Sequence, residues 1–502
     1  MRKQKSDNTV DFGTYIRGVC VCLVVSGGSP ALRKSQTEKH LIRRKKIIHM
    51  KQRYLNFKDD EYIYERAVID CFQSKWKRND ILCFIEKYAG IPRHELFIEE
   101  LETIEDKDGN GIHGTVKLEA IQSCGLALEE AIQNILNGHI DDVDIEPPRI
   151  RQRPDGMTGK TRDIALLCVM HQLVEHVTFN LLQPLFEAKL YPTQHASIPG
   201  HGQTRLKNQV HKYLRMKNLN IKYFCKTDMK HAYQSMKYAK IIELMKEDIP
   251  NAKHIFKLLE FLGELAPDGH LIIGGYLDAW LFNYAMSKVI GYIYSLGQER
   301  RGKFTRYAIR IVTFMDDMLI LSNSKKGIKI VIAKASKYAK SVLGMTMKLE
   351  TGIVELLSIE EERAKRDKKG AAHGCPSIDM AGFKICRSHI SIRKRVFLRT
   401  RRQLLRAYNE IVKYGTISIQ RARKIISYNG FIKQSDSQKF IDKYHVNQVM
   451  KIARQVVGFH AYISTRKRLE KLYDIRECTI KYKTKLSNNR KSPGWPTESC
   501  HC

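Results

Sequence analysis

The sequence has no apolar run of membrane length, so a bilayer is a poor candidate for its partner. Twelve cysteines are scattered along 502 residues, and no two stand as Cys-x-x-Cys. That spacing argues against a zinc ribbon and fits free thiols in a reducing cytoplasm better than a disulfide framework. The terminal Cys500-His501-Cys502 reads as a frayed tail rather than a metal site. The chain is also short of acid. Against 87 Lys and Arg it carries 53 Asp and Glu, for a net charge of +34. An excess of this size is the electrostatic footprint of a protein that binds a polyanion, and without a membrane span nucleic acid is the polyanion to expect.

At the N-terminus Arg2, Lys3 and Lys5 precede the apolar stretch Val19–Val25 and then Ser26-Gly27-Gly28-Ser29-Pro30-Ala31, which mimics a weak signal peptide. The basic body and the unpaired cysteines argue against export. Met50 is a second candidate start, which leaves residues 1–49 as a basic extension, disordered or untranslated.

What the chain does have is concentrated around Phe314-Met315-Asp316-Asp317, inside the apolar run Tyr307–Leu321. Two β-rich segments flank adjacent carboxylates, the pattern of a hairpin with the acids at its turn. Aspartate is a poor strand former and is costly to bury ionised, so the pair needs a reason. Carboxylate oxygens are the ligands Mg²⁺ prefers, with substrate phosphates completing the shell. Taken alone, Asp-Asp is more often an ordinary polar turn. The rest of the chain changes those odds.

Residues 50–101 mix apolar and charged positions at helical spacing and read as a small helical N-terminal region. Asp106-Lys107-Asp108-Gly109-Asn110-Gly111 opens like a calcium loop, but Lys117 stands where a bidentate Glu belongs, so a polar turn is expected. Leu118 to Leu136 has an amphipathic helical pattern ending near Asn137-Gly138. Between Pro147 and Ile164 two basic clusters, with Arg151 and Arg153 in one and Lys160 and Arg162 in the other, bracket a Pro/Gly-rich turn. This reads as a basic hairpin whose side chains can donate charge-assisted bonds to phosphate. A long apolar helix follows, roughly Leu166 to Phe186, and then a loop from Tyr191 to Gln203 into a helix from Thr204.

The second acidic site is a strand, Ile221 to Thr227, with Asp228 at its carboxyl end and a helix start beyond it. Asp228 lies about 90 residues before Asp316, room enough for the two strands to lie side by side with helices between. Gly274-Gly275 leads into another helix and lets a backbone pass close to a base or sugar. After the Asp pair, Ile328 to Val342 reads as a helix, Met345 to Glu350 as a strand, residues 359–374 as a charged loop, and Ser377–Ile385 with His389–Arg393 as a hairpin. Beyond it come basic helices. One is striped by Leu404, Leu405, Tyr408, Ile411 and Val412 and closed by Gly415; a second runs Ile419–Tyr428 and is closed by Asn429-Gly430; a third spans Phe440 to Val457. Their approach carries Arg393, Lys394, Arg395, Arg399, Arg401 and Arg402, a face suited to a duplex backbone. The tail from Lys483 is basic and polar, and reads as disordered.

An Asp ending a strand, an Asp pair in a hairpin and basic loops upstream form the set that two-metal phosphoryl transfer requires. In that reading Asp228 and Asp316 bridge the ions and Asp317 contributes secondarily. From about Arg149 to about Arg406 the sequence resembles a reverse transcriptase of the bacterial kind related to group II intron, retron and diversity-generating enzymes. Lys160 to Ile164 is similar to the fingers segment that contacts the incoming nucleotide. Tyr233 matches the aromatic residue that packs under the sugar and excludes a 2′-hydroxyl. Phe314-Met315-Asp316-Asp317 resembles the Tyr-x-Asp-Asp box, Lys348 the lysine of the following motif, and Ile378–Phe383 with Gly382, followed by Ile392-Arg393, the primer grip. The glycine pair lacks the family's Pro-Gln-Gly, with Ala279 near its serine position. The loop Ser197–Gly200 lacks the expected Arg, leaving His195, His201 or Arg205 in its place. No terminal zinc-binding endonuclease pattern and no retron thumb signature is seen.

The resemblance implies an α+β right-hand polymerase: fingers and palm over residues 146–390 with an antiparallel palm sheet, an α-helical thumb over 391–482, a helical region at 50–145 ahead of them and a tail at 483–502. It implies two Mg²⁺ ions, for which Mn²⁺ can substitute, held by Asp228, Asp316 and Asp317. Lys160, Arg162, Tyr233, Gly274, Gly275 and Lys348 would serve the nucleotide. Arg151, Arg153, Gly382, Arg393, Lys394, Arg395, Arg399, Arg401 and Arg402 would serve the nucleic acid. Partners would be an RNA template, a DNA or RNA primer and deoxynucleoside triphosphates, with a non-coding RNA or accessory protein as a further candidate, and the location cytoplasmic. Phage defence, a retron or diversity generation would be its setting. Three alternatives stand beside this reading: a template-independent polymerase on the same palm, an RNA-dependent RNA polymerase, and a non-catalytic nucleic-acid binder. Tyr233 argues against the second, because that class places a carboxylate near there to read the 2′-hydroxyl. Three intact acids argue against the third, since without metal they would repel phosphates.

Overall fold

The computed structural model of the protein describes residues 62–93, 95–98, 115–116, 118–154, 161–369 and 375–473. The N-terminal extension with Met50, the turn from Asp106 to Gly111, Lys160 and the tail from Lys483 lie outside them. Two compact units divide at Ser388 and His389.

The first unit opens with α1 (Ile63–Phe72) and α2 (Asn79–Ala89), then a short antiparallel ribbon of β1 (Phe97–Ile98) and β2 (Thr115–Val116), then α3 (Leu118–Asn137). Buried residues fall on one face of each of the first two helices, Ile63, Ala67 and Val68 in α1 and Ile81, Leu82 and Ile85 in α2. Both faces close on α3, as the periodicity anticipates. The basic hairpin is β3 (Arg149–Pro154) with β4 (Thr161–Leu166), paired antiparallel from Arg149↔Leu166 to Pro154↔Thr161. The long apolar helix is α4 (Val169–Lys189), which starts three residues later than its pattern suggests because the Cys168 thiol caps it, accepting from His171 N at 3.4 Å. Next is α5 (Gln203–Arg215).

The central sheet starts with β5 (Tyr223–Lys230), buried over most of its length. One turn, α6 (Ala232–Ser235), is followed by α7 (Tyr238–Asp248), α8 (Lys253–Leu265) and α9 (Tyr276–Ser295). A ribbon of β6 (Gly297–Arg300) and β7 (Lys303–Arg306) leads to β8 (Arg310–Phe314), β9 (Asp317–Ser322), α10 (Lys325–Leu343), β10 (Thr346–Leu349) and β11 (Val354–Glu355). Strand order is β10-β5-β9-β8, with β11 also paired to β5, and every pairing is antiparallel. Apolar helices cover this sheet and bury Phe186, Phe282 and Tyr284.

Residues 359–369 form a helix, α11 (Ile359–Lys369), not the charged loop expected. A reciprocal cap explains it: Ser358 Oγ accepts from Glu361 N at 3.1 Å, and Glu361 Oε2 accepts from Ser358 N at 2.8 Å. The stretch Ser377–Ile385, expected as one arm of a hairpin, is itself folded into a hairpin. Its turn lies at Ala381 (φ 50°) and Gly382 (φ 87°), between β12 (Ile378–Met380) and β13 (Phe383–Ile385), the two-residue geometry that matches strand twist.

The second unit contains β14 (Ile390–Ile392), α12 (Lys394–Tyr414), α13 (Ile419–Lys433), α14 (Gln438–Lys443) and α15 (Val446–Tyr473). Gly415 closes α12 in the left-handed conformation, as anticipated. By contrast, α13 runs through Asn429-Gly430, because Asn429 and Ile432 are buried and packing outweighs the weak propensity of glycine. The third helix is broken in two at His445, whose φ is 47°. Helices α12, α13 and α15 pack on one another through Val396, Leu404, Ala422, Ile425, Val449 and Ala453.

Candidate active site

Register brings the acids together. Strand β5 meets β9 through Thr227↔Met318, β9 meets β8 through Phe314↔Asp317, and β10 sets Lys348 opposite Asp228. Continuing the β5–β9 ladder by one residue sets Asp228 across from Asp317. Asp316 and Met315 form the two-residue turn, with Met315 at φ 53°. This is the hairpin with acids at its turn that the sequence suggested. Asp228 stands two residues short of the strand's end.

Burial raises the Asp316 carboxyl to about 6, with Asp228 and then Asp317 adding to it, and its side chain lies within hydrogen-bonding range of Asp228. Burial also raises Asp317, but Lys226 opposes. Lys226, on β5, is 5% exposed. Its ammonium lies 3.0 Å from Asp317 Oδ1 and 2.5 Å from Glu350 Oε2. Burial works against that charge, yet Asp317 and Glu350 outweigh it and hold the Lys226 pKa above its ordinary value. The donor set is therefore divided. Asp228 and Asp316 face each other with like charge, while Asp317 is tied to a lysine. Three crowded carboxylates of hard oxygen donors suit a divalent ion of the Mg²⁺ type.

Tyr233 follows on α6 and stacks on Phe282 of α9, ring centroids 5.2 Å apart and planes at 13°. Burial, then Asp278 and Asp316, push its phenol up, so it stays neutral. Lys348 is exposed on β10 beside Asp228. On the basic hairpin, Arg153 pairs across from Arg162, and Arg151 lies two residues along, so all three share one exposed face. Gly274 (φ 127°) and Gly275 precede α9 as expected, but the room they leave is taken by protein. A Cβ on Gly274 would lie 2.5 Å from Ala165 O. Gly382 sits in its tight turn. Arg393, Lys394, Arg395, Arg399, Arg401 and Arg402 lie at the start of α12 in the second unit; Arg401 donates to Tyr444 Oη at 2.7 Å.

Of the candidates for the missing loop arginine, His195 is 1% exposed, held by Gln209 and by its backbone bond to Thr313 O, and burial lowers it to about 4. It carries no charge for a phosphate. Burial likewise lowers His201, whereas Arg205 is exposed. Sequence reading missed Lys226, Glu350 and Phe282. Lys226 had a signal: it stands two residues before Asp228 and thus on the same strand face.

The match to known families falls on this region. Residues 150–350 fit the family model described as reverse transcriptase (RNA-dependent DNA polymerase). No curated protein matches the chain. Among solved structures, apo telomerase from Candida tropicalis, truncated from its C-terminal domain, aligns with a TM-score of 0.33 and 10% identity. That alignment covers 54% of this chain and 60% of the neighbour, so the chain spans less than two thirds of it. Among the described residues no helix is long and apolar enough to cross a membrane. The fold is of the α+β right-hand polymerase type, and over residues 150–350 the chain is similar to the reverse transcriptase (RNA-dependent DNA polymerase) family.

Proposed function

We propose that the protein extends a primer with deoxynucleotides on an RNA template by two-metal transfer at Asp228, Asp316 and Asp317. The observation that carries this is the meeting of three carboxylates from β5 and the β8–β9 turn in one sheet. Asp228 and Asp316 would hold the ions, and Asp317, restrained by Lys226, would contribute secondarily. Bound there, two divalent ions would lower the pKa of the primer hydroxyl and stabilise the leaving oxygen. Mg²⁺ is the expected ion, with Mn²⁺ able to substitute. The remaining work belongs to the chain's own groups. Arg162 and Lys348 would meet triphosphate charge, and Tyr233, backed by Phe282, would fill the space that a 2′-hydroxyl needs. Arg151 and Arg153 would hold the template backbone, and the basic face of α12 the duplex.

The bacterial lineage, and a setting in phage defence or a retroelement, rest on the motif order from Arg149 to Arg406; sequencing the RNA that copurifies would identify the template. The decisive measurement is deoxynucleotide incorporation on a primed RNA with Mg²⁺ or Mn²⁺. Asp228→Ala and Asp316→Ala are expected to abolish extension and to leave nucleic-acid binding near the wild-type level. Loss of binding together with activity would make the acids structural. Tyr233→Ala is expected to admit ribonucleotides, and unchanged sugar selection would remove that role.

A further inference from the structure

The first unit buries a second carboxyl pair, away from the β8–β9 turn. Glu175 on α4 and Asp278 on α9 are both fully buried. Each has one oxygen engaged. Glu175 Oε2 accepts from Tyr276 N at 2.8 Å, and Asp278 Oδ1 accepts from Ile272 N at 3.1 Å and from the Tyr238 hydroxyl at 3.0 Å. Among the described residues the other two oxygens, Glu175 Oε1 and Asp278 Oδ2, have no donor, and the two carboxyls lie within hydrogen-bonding range of each other. Both crowd residue 275, where a Cβ would lie 1.8 Å from Asp278 Oδ2 and 2.7 Å from Glu175 Oε1. Glycine is required there by these carboxyls rather than by a base or sugar.

Two facing buried acceptors repel unless a proton lies between them. Among the described residues, no cation comes from the groups packed around the pair. His171 Nε2 is 3.9 Å from Glu175 Oε1, but burial lowers its pKa to about 4. On the other packed elements, burial pushes the Cys71 thiol up to about 12, and the Tyr238 and Tyr233 phenols are also raised by burial, so all three are neutral. Burial, and then Asp278, raises Glu175 well above the ordinary carboxylate range, consistent with Glu175 as the proton's holder.

We propose that Glu175 and Asp278 share one proton and act as positioning residues, fixing the Ile272–Tyr276 loop against the nucleotide-facing β3–β4 hairpin. The link to the hairpin is Ala165 N, which donates to Ile273 O at 2.8 Å, three residues along β4 from Arg162. The pair thus ties both ends of the glycine loop, and β4 through it. The positioning half rests on the polymerase reading; the shared proton does not.

The test uses the full chain with Glu175→Ala, Glu175→Gln and Asp278→Asn. In Glu175→Gln the amide N–H replaces the shared proton, donating to Asp278 Oδ2, while the amide oxygen still accepts from Tyr276 N. Glu175→Ala is expected to raise the KM for deoxynucleotides at least about tenfold with a smaller change in kcat. Glu175→Gln is expected to restore KM, and Asp278→Asn to stay near wild type. Unfolding followed against pH supplies the second readout. Relative to Glu175→Gln, the wild type is expected to lose stability by one proton's slope as pH rises above the ordinary carboxylate range. Equal slopes would overturn the shared proton. KM unchanged in Glu175→Ala, or raised equally in Glu175→Gln, would overturn the positioning role. If Glu175→Ala does not fold, Asp278→Ala supplies the KM readout in its place, with the same rise expected and an unchanged KM overturning the positioning role, and the slope of Glu175→Gln still decides the shared proton. A wild type that extends no primer sinks the polymerase reading and the positioning half with it, while the slope still decides the shared proton.

Discussion

Lys226 sets the electrostatic surroundings of Asp317. Its ammonium occupies Asp317 Oδ1 at 3.0 Å while Asp228 and Asp316 face each other, so the third carboxylate is compensated and the first two are not. The Lys226 side chain is 6% exposed and that of Asp317 26%, which makes this a partly buried pair whose breakage leaves a carboxylate uncompensated. Lys226→Met is therefore expected to cost about 2–3 kcal/mol at neutral pH without divalent ions, a figure reduced for the exposure of Asp317. Added Mg²⁺ is expected to raise the variant's melting temperature by more than it raises that of the wild type, because the ion takes over the lost charge. Equal Mg²⁺ shifts in thermal melts would mean that Lys226 does not compete for Asp317. The acids themselves were legible in the sequence, since adjacent carboxylates inside an apolar strand pattern are costly and demand a partner. Lys226 was legible in principle from strand alternation. Glu175 and Asp278 were not, because nothing local pairs residues that only the packing of α4 on α9 brings together.

At the scale of elements, glycine shows why punctuation residues mislead. Gly430 reads as a stop in the sequence, yet α13 continues past it; a Cβ there would meet nothing within 4 Å. Gly430→Ala is accordingly expected to stabilise the second unit by up to about 1 kcal/mol, through helix propensity and a less flexible unfolded chain. Gly275→Ala is expected to destabilise the first unit, because its Cβ would collide with Asp278 Oδ2. Denaturant melts of the two variants test this. A Gly430→Ala protein no more stable than wild type would place a neighbour where open space is seen. Other elements were legible because their signals are local: the β5 and β8–β9 apolar runs, the basic hairpin and the Gly415 stop. The helix over residues 359–369 was missed through its charge, although the Ser358-x-x-Glu361 capping box was present in the sequence. The break at His445 has only a faint mark, since histidine adopts a positive φ more often than most residues but far less often than glycine.

Over the whole molecule, the excess of basic charge coexists with histidines that the fold keeps neutral. His171, His176 and His195, all in the first unit, are each lowered by burial to about 4 from an ordinary value of 6.5. The unfolded chain binds these protons below about 6.5 and the native protein does not, so stability rises with pH across this window and is lost as pH falls toward 4. Each group sets a ceiling of about 3 kcal/mol on that loss. Glu175 works with the opposite sign. Its raised carboxyl keeps a proton that the unfolded state has released, so its contribution grows as pH falls from its folded value toward the ordinary carboxylate value of 4.5. Between about 4.5 and 6.5 the two effects oppose, and removing one exposes the other. Glu175→Gln is expected to make acid destabilisation steeper than in the wild type by close to one proton, measured as the slope of unfolding free energy against pH. His171→Gln is expected to make it shallower by up to one proton. A wild-type curve flat through this window, with both variants parallel to it, would mean that the buried histidines take up protons inside the fold, and that His171 is a cation beside Glu175 after all.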